Sequence, residues 1–298
     1  MNTPKYVVHA LLGNAANLGI HWIYNAAYLS NLSKTEDLFF RKQDKKIYDE
    51  AHPSYYAYPE AEVGDVTSQG MFLFWLTEAL KNNPNLSREA YGDLIYQHIK
   101  PGGDYTGYIE TYGHKMIMNT LNQKMKLGMP TILMDDDHLI GFVPYIATKQ
   151  LGLSNQRAWD LAQLFTNKEE YPACYEMFDA IMEGLKHQSM QQAVQNAIQK
   201  APRRFAVQMK KAIEMTDTAA FVKDYAGTAC AINQSVPIII HLLYHSKDLM
   251  DAWLRNALIS GAIAERAMLL TMILGIQHPI SPSLISRLSK KFLSISLG

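Results

Sequence analysis

Two charged residues, Glu265 and Arg266, stand side by side in an otherwise apolar segment, NALISGAIAERAMLLTMILG (residues 256–275). Successive residues on a helix point about 100° apart, so these two charges cannot neutralise each other across one face. Each of them needs its own partner or water, and we expect one of them to point into a site. The alternative for Arg266 is the polar edge of the helix, with its stem on apolar neighbours and its head in solvent.

The segment HWIYN (residues 21–25) clusters an imidazole, an indole and a phenol directly after GNAANLG. These side chains can form one wall of an aromatic binding pocket. Residues of these types can also form a core aromatic cluster whose polar tips have hydrogen-bond partners. The sequence leaves both interpretations open.

The segment GDVTSQG (residues 64–70) places Asp65 and short polar residues between two glycines, directly ahead of an apolar helix. Backbone N–H groups at a helix N-terminus, together with small side chains, can bind an anion or a metal-bound water. A simple capped turn accounts for the same pattern.

Three consecutive aspartates, residues 135–137, could supply oxygen ligands to a hard cation such as Mg²⁺. Consecutive side chains diverge, so at most two of them could share one ion. A solvated acidic turn is the alternative. The tyrosine-rich stretch DYTGYIETYGH (residues 104–114) could stack against a base or a sugar, or it could belong to the core.

The composition excludes several classes of protein. Lys plus Arg equals Asp plus Glu at 28 each, so the chain lacks the positive field with which nucleic-acid binders attract phosphates. The apolar runs are about half the length that a bilayer crossing needs, which argues against a membrane partner. Two cysteines, Cys174 and Cys230, cannot form a disulfide framework, and packing is their expected role. We therefore expect a soluble protein of the reducing cytoplasm.

Apolar residues recur at helical spacing in most of the chain, which predicts an all-α fold. The clearest helical segments are 70–80, 87–99, 154–165 and 173–185, and Ser87 and Ser154 stand where helix N-caps belong. No linker-like composition divides the chain, so residues 1–298 are predicted to form one compact domain.

The irregular segments predicted from the sequence are 51–70, 101–115, 129–138 and 226–237. Binding residues in a helical scaffold usually lie on such segments and on the helix ends that they join. A site is therefore expected there. The chain contains no nucleophile elbow, phosphate-binding Walker loop, dinucleotide fingerprint or zinc helix, so short motifs alone assign no chemistry.

Taken in order, several segments resemble the ADP-ribosylglycohydrolase superfamily, and within it the branch that includes the jellyfish lens J crystallins. The similar segments are GNAANLGIHWIYN (13–25), GDVTSQG (64–70), GYIETYGHKMIMNTL (107–121), QSVPIIIHLL (234–243) and RNALISGAIAERAMLLTMILG (255–275). The resemblance spans about residues 7 to 278. Its most specific parts are the HWIY motif and the closing Ala-x-Arg-x-Met pattern that includes Arg266, which the resemblance places beside an active-site cleft.

The resemblance implies an all-helical fold and hydrolysis of a glycosidic bond to ADP-ribose with the help of two magnesium ions. The family's early metal-binding run, Thr-Asp-Asp, corresponds to residues 67–69, of which only Thr67 is unchanged. Its late run, Asp-x-Asp-Thr, corresponds to Ala262, Ala264 and Glu265. Mg²⁺ prefers anionic oxygen ligands, so this chain should have lost nearly all affinity for the metal pair and with it the metal-assisted chemistry. No metal is expected, although Mg²⁺ binding remains possible if the family site is partly retained.

The predicted site residues follow from this resemblance. Asp65 and Glu265 are the candidate catalytic carboxylates, with the aspartates of 135–137 as alternatives. The predicted substrate-binding residues are Asn14, which replaces the family's Asp after its first glycine, together with His21, Trp22, Tyr24, Thr67, Tyr105, Tyr108, Asp137 and Arg266.

Two functions remain as alternatives. The first is a degenerate relative that binds ADP-ribose or a related nucleotide, or serves as a structural protein, without turnover. The second is a working glycoside-type hydrolase, because two suitably placed carboxylates can cleave glycosides without a metal. If the chain binds a ligand, with or without hydrolysis, the expected partner is a small-molecule nucleotide or an ADP-ribosylated substrate.

Overall fold

The computed structural model describes residues 5–297 of the chain, and helices account for almost all of its regular structure. The first nine helices are α1 Tyr6–Asn17, α2 Ala26–Leu32, α3 Lys45–Glu50, α4 Ser68–Asn82, α5 Arg88–Ile99, α6 Thr111–Met125, α7 Phe142–Gln150, α8 Asn155–Ala162 and α9 Glu170–Gly184. The others are α10 Met190–Ala197, α11 Ala206–Glu214, α12 Thr218–Phe221, α13 Ile232–His245, α14 Leu249–Ile259, α15 Ile263–Gln277, α16 Pro282–Ile285 and α17 Lys290–Leu293.

Short 3₁₀ turns and one π-helical turn, residues 222–226, link some of these helices. Within residues 5–297 the chain forms no β-sheet, only one isolated antiparallel bridge between Ile23 and Ser54. The predicted all-α fold is therefore confirmed.

Helices α1 and α15 pack against each other at the middle of the molecule. Both are buried on nearly all faces, as expected for helices that are apolar all round. Their close approach depends on Gly13, because a Cβ atom there would lie 2.2 Å from the carbonyl oxygen of Ala267. The closeness of the two helices brings Asn14 on α1 beside the first turn of α15.

The remaining helices surround this pair. Helices α4, α7 and α14 contact α1, and α13 and α14 contact α15. Helix α7 also packs against α4 and α8, whereas α9 and α10 form a neighbouring pair. The first turns of α4, α6 and α15, which come from distant parts of the sequence, meet near the end of α1.

The predicted helices are confirmed at most positions, and both predicted caps are correct. The hydroxyl oxygens of Ser87 and Ser154 accept hydrogen bonds from the backbone N–H groups of Ala90 and Arg157. The predicted helix over 154–165 ends earlier, at Ala162.

Three of the predicted irregular segments are shorter than expected. Helix α4 already begins at Ser68, α6 at Thr111 and α13 at Ile232. Short polar residues at a helix start weaken the apolar periodicity on which the boundaries were based. At α4 they also satisfy a free N–H group of the first turn, because the Thr67 side chain accepts a hydrogen bond from the backbone N–H of Gly70.

Cys174 and Cys230 are both buried and unpaired, so the expected packing role is confirmed. None of the helices within residues 5–297 is both long and apolar enough to cross a lipid bilayer.

Candidate functional site

Asn14 holds the start of α4 against the two central helices. Its Oδ1 accepts a hydrogen bond from the backbone N–H of Thr67 at 2.7 Å, and its Nδ2 donates to Thr67 Oγ1 at 2.9 Å. The same Nδ2 lies 3.4 Å from the carbonyl oxygen of Ala264. Asn14 and Thr67, both predicted as binding residues, are fully buried and position one another.

Glu265 points into the interior, where it meets Gln69 from the first turn of α4. Gln69 Nε2 donates to Glu265 Oε1 at 2.8 Å. His21 Nε2 lies 3.9 Å from the same oxygen, which is too far for a hydrogen bond. The backbone N–H of Ala264 donates to His21 Nδ1 at 3.3 Å, so the ring proton of His21 belongs on Nε2. Burial, reinforced by the charge of Arg266, lowers the pKa of His21 to about 3, and the ring is neutral.

A second buried carboxyl group, Glu110, lies near Glu265 and interacts with it electrostatically. Glu110 precedes α6, and its Oε1 accepts hydrogen bonds from Tyr112 OH at 2.5 Å and from Ser68 Oγ at 3.3 Å. Burial raises the pKa of both carboxyl groups, and the charge of Glu110 raises that of Glu265 further, well above its usual range. Two neighbouring carboxyl groups away from water repel each other when both are charged, which favours the protonated form of one of them. Ser68, Gln69, Glu110 and Glu265 are called the buried centre below.

The sequence did not single out Glu110, although it lies within the quoted tyrosine-rich stretch. The available signal was its isolation, because it is the one carboxylate between the aromatic residues Tyr108 and Tyr112. Its partner could not be identified from the sequence, since the two glutamates come from opposite ends of the chain.

The three consecutive aspartates diverge, as expected, and only one faces the buried centre. Asp135 is ion-paired with Lys115 at 2.9 Å on the outside. Asp136 is largely buried, and its Oδ1 accepts from the backbone N–H of His138 at 2.9 Å. His138 Nδ1 in turn lies 3.9 Å from Glu110 Oε2. Asp137, which was the predicted binding residue, contributes its backbone oxygen to the start of α13. The structure therefore brings Asp136, rather than Asp137, towards the buried centre.

Arg266 is fully buried and points towards the end of α14. Its Nε donates to Asn256 Oδ1 at 2.9 Å, and its Nη2 donates to the carbonyl oxygen of Ser260. A cation is favourable at the C-terminal end of a helix, where carbonyl groups are left without partners. Burial lowers the pKa of Arg266 to about 10, so the guanidinium remains charged at neutral pH. The alternative of a solvent-exposed head is wrong.

The HWIYN segment forms an aromatic wall beside the buried centre. The ring of Trp22 stacks on His21 at 4.6 Å between centroids and contacts Tyr108 edge-on at 5.4 Å. Trp22 adopts φ +64°, a left-handed conformation that is unusual for a bulky residue and is often found at functional sites. Tyr24 lies farther along, with its hydroxyl 3.9 Å from Cys230 Sγ.

Asp65, the other predicted catalytic carboxylate, is not brought together with Glu265. Its Oδ1 accepts from Ser289 Oγ at 2.7 Å and lies 3.5 Å from Lys291 Nζ, near the surface. Asp65 lines a surface cavity of about 350 Å³ together with Tyr105 and Tyr108. The predicted site residues thus fall into a buried group around Glu265 and a surface group around this cavity.

Several buried polar atoms near the buried centre lack a hydrogen-bond partner among the described residues. They are His21 Nε2, His138 Nδ1, Ser260 Oγ, Glu265 Oε2 and Arg266 Nη1. The space between Gln69, Glu265 and the apolar side chains of α7 is too small for a water molecule. Unmatched polar atoms are uncommon in folded proteins and need a specific explanation.

The resemblance assigns two magnesium ions to residues 67–69 and 262–265. The side chains at these positions do not fit a pair of magnesium ions. Gln69 turns an N–H donor towards Glu265, and a donor hydrogen repels a cation. Ser68 donates its hydroxyl proton to Glu110. Across residues 5–297, His, Cys, Asp and Glu side chains form no group of three that could hold a metal ion.

Comparison of the sequence with models of known protein families gives no match, and comparison with curated proteins gives none.

Proposed function

We propose that this chain is an ADP-ribosylglycohydrolase-type protein that binds ADP-ribose or a related nucleotide without metal-assisted turnover. The observation that carries the proposal is the hydrogen bond between Gln69 and Glu265, which are 196 residues apart in the sequence. The resemblance requires the early and late metal-binding runs to meet in one site. Gln69 lies in the segment that corresponds to the early run, and Glu265 lies in the segment that corresponds to the late run. Their hydrogen bond therefore joins the two segments.

The chemistry at this contact supports binding over metal-dependent hydrolysis. Where the resemblance implies carboxylates, the chain has a hydroxyl at Ser68 and an amide at Gln69, both of which donate hydrogen bonds. Ala262 and Ala264 supply no side-chain ligand at all. Without a bound cation, the site has no Lewis acid to polarise the glycosidic bond or to activate water.

The second candidate is metal-free hydrolysis by Glu110 and Glu265. In this pair Glu110 takes the place of Asp65, which was the partner of Glu265 expected from the sequence. Its support is the raised pKa of both carboxyl groups, which suits a general acid at neutral pH. Glycosidases, however, hold their two carboxyl groups about 5 Å or more apart so that the sugar fits between them. The space beside Glu265 does not admit even a water molecule, so turnover would require this region to open. Binding is therefore the function that this geometry favours.

Isothermal titration calorimetry with ADP-ribose, in EDTA and again in millimolar Mg²⁺, tests the proposal. We expect the same dissociation constant in both buffers and no release of ADP-ribose from an ADP-ribosylated substrate. A dissociation constant that decreases when Mg²⁺ is added would contradict the proposal. Release that persists in EDTA and disappears in Glu110→Gln and Glu265→Gln would establish the hydrolase instead.

The correspondence of positions has its own test. The combined substitutions Ser68→Asp, Gln69→Asp and Ala262→Asp should create a magnesium site, visible as a rise in melting temperature on adding Mg²⁺. The matched control carries Asn at the same three positions and should show no such rise. If the Asp variant does not respond to Mg²⁺ either, the positions have been matched incorrectly.

A further inference from the structure

The segment between α5 and α6, residues 101–109, lies over the aromatic wall and is called the cover segment here. It is PGGDYTGYI, and most of it is exposed. Gly102 has φ +80°, with no heavy atom within 4 Å of the position that a Cβ would occupy. Gly102 itself is thus unconstrained by packing and has the conformational freedom of glycine, whereas a Cβ atom on Gly103 would lie 2.0 Å from the carbonyl oxygen of His98.

The first half of the cover segment is tied to the end of α5, where the backbone N–H of Tyr105 donates to the carbonyl oxygen of His98 at 3.0 Å and Asp104 pairs with the His98 ring at 2.7 Å. Its second half touches the body of the protein through aromatic rings. Tyr108, which is 42% exposed, contacts Trp22 edge-on at 5.4 Å and Tyr58 at 5.9 Å between centroids. Tyr105 contacts Trp75 at 5.6 Å and donates its hydroxyl proton to the carbonyl oxygen of Tyr108 at 2.8 Å. A few edge contacts of this kind contribute about 1 kcal/mol each, so they can be broken at a modest cost.

The region beneath the cover segment is polar, incompletely hydrogen-bonded and closed. His21 Nε2 has no acceptor, and Trp22 keeps a left-handed backbone conformation. The helices that bound this region from below, α1 and α15, are buried on nearly all faces and cannot separate without disrupting the core. The cover segment is the boundary that can move with the least loss of buried contact.

We propose that the cover segment is a lid and that the ring of Tyr108 acts as a plug, which occupies the position on Trp22 that a ligand ring takes when the lid opens. The closed form described here then excludes ligand, and binding requires Tyr108 to leave Trp22. The affinity of the chain for its ligand is reduced by the fraction of time that the lid is closed. The ligand part of this inference rests on the proposed binding function, whereas the lid itself does not.

Acrylamide quenching of tryptophan fluorescence tests the lid without any ligand. Trp22 is 8% exposed. Its contribution to the quenched fluorescence is the difference between each protein and the same protein with Trp22→Phe. In Tyr108→Ala we expect a several-fold increase in the quenching of Trp22, with an unchanged circular dichroism spectrum. The matched control is Tyr225→Ala, because Tyr225 is 38% exposed and contacts Lys211 instead. If quenching of Trp22 in Tyr108→Ala equals that in the control, there is no lid at this position.

Calorimetry with ADP-ribose on the same variants tests the plug. If Tyr108 competes with the ligand, Tyr108→Ala lowers the dissociation constant several-fold relative to wild type and to Tyr225→Ala. A higher dissociation constant in Tyr108→Ala overturns the plug, because it makes Tyr108 part of the binding wall. If no variant binds ADP-ribose while quenching still increases, the proposed function fails and the lid stands.

Discussion

Two carboxylate clusters in this protein differ in how completely they are hydrogen-bonded. Asp179 on α9 accepts three hydrogen bonds, from Tyr145 OH, Lys149 Nζ and Asn155 Nδ2, each at 2.8 Å. It joins α7, α8 and α9, and one of its three donors is a cation. Asp179 thus has the surroundings of a carboxylate that stabilises the fold.

The buried centre has the opposite arrangement. Glu265 receives one amide donor, Gln69, its other oxygen has no hydrogen-bond partner among the described residues, and the nearby charge of Glu110 is of the same sign. Both glutamates are almost completely buried. Two buried carboxyl groups close together destabilise a folded protein. Destabilising groups with shifted pKa values are more common at functional sites than elsewhere. The comparison teaches that the partly exposed Asp179 has three donors for its two oxygens, whereas Glu265, which is fully buried, has one.

The largest effect is expected at Asp179. Asp179→Ala leaves the fully buried hydroxyl of Tyr145 and the Lys149 ammonium without their acceptor, which should lower the free energy of unfolding by roughly 2–3 kcal/mol. Asp179→Asn keeps one acceptor oxygen and should lose about half as much. Urea denaturation followed by circular dichroism measures both. A loss below about 0.5 kcal/mol in Asp179→Ala would show that Asp179 does not stabilise the fold.

The pH dependence of stability should report the buried pair. Because burial raises the pKa of Glu265 in the folded state, the folded chain keeps a proton that the unfolded chain has already released above the ordinary value of 4.5. The free energy of unfolding should therefore decrease as the pH rises from there towards the raised pKa, by at most about 1.4 kcal/mol per pH unit. Denaturation of wild type and Glu265→Gln in parallel, from pH 5 to 9, isolates this slope, because the histidines are common to both proteins. Identical slopes in the two proteins would show that Glu265 titrates normally.

The smallest effect, and the one with the opposite sign, is expected for Glu110→Gln. The glutamine can still accept from Tyr112 and Ser68, and it removes the like charge that acts on Glu265. We expect the free energy of unfolding to increase by about 1 kcal/mol at pH 8. Glu176→Gln, which neutralises an exposed glutamate on α9, is the control for loss of charge and should change little. A clear destabilisation by Glu110→Gln would mean that the pair is structural, like Asp179.

Local features of the sequence predicted the helices and several of their caps. Helix α5 and its cap Ser87 were predictable because apolar periodicity and a capping hydroxyl are local properties of the chain. The start of α13 was not, since QSVP contains a proline and polar residues that are typical of loops, yet Pro237 lies inside the helix. Tertiary packing outweighs weak local preferences of this kind.

The candidate site was predictable only in part. Asn14, His21, Thr67 and Glu265 do come together, whereas Asp65 lies on the surface beside Ser289. The catalytic and binding roles of all these residues remain predictions. Glu110 was not anticipated as a member of the site, and Asp136 was predicted only as one of three consecutive aspartates, because the burial and the neighbours of a side chain are not encoded in the adjacent residues.

The sequence by itself determined that the chain folds into helices and that Glu265 and Arg266, about 100° apart on one of them, need separate partners. Only the tertiary structure decided which partners these are. Glu265 meets Gln69 across 196 residues of sequence, and Arg266 meets Asn256 at the end of the preceding helix. Helical periodicity depends on neighbours in the chain, but the surroundings of a buried charge depend on which helices pack against it.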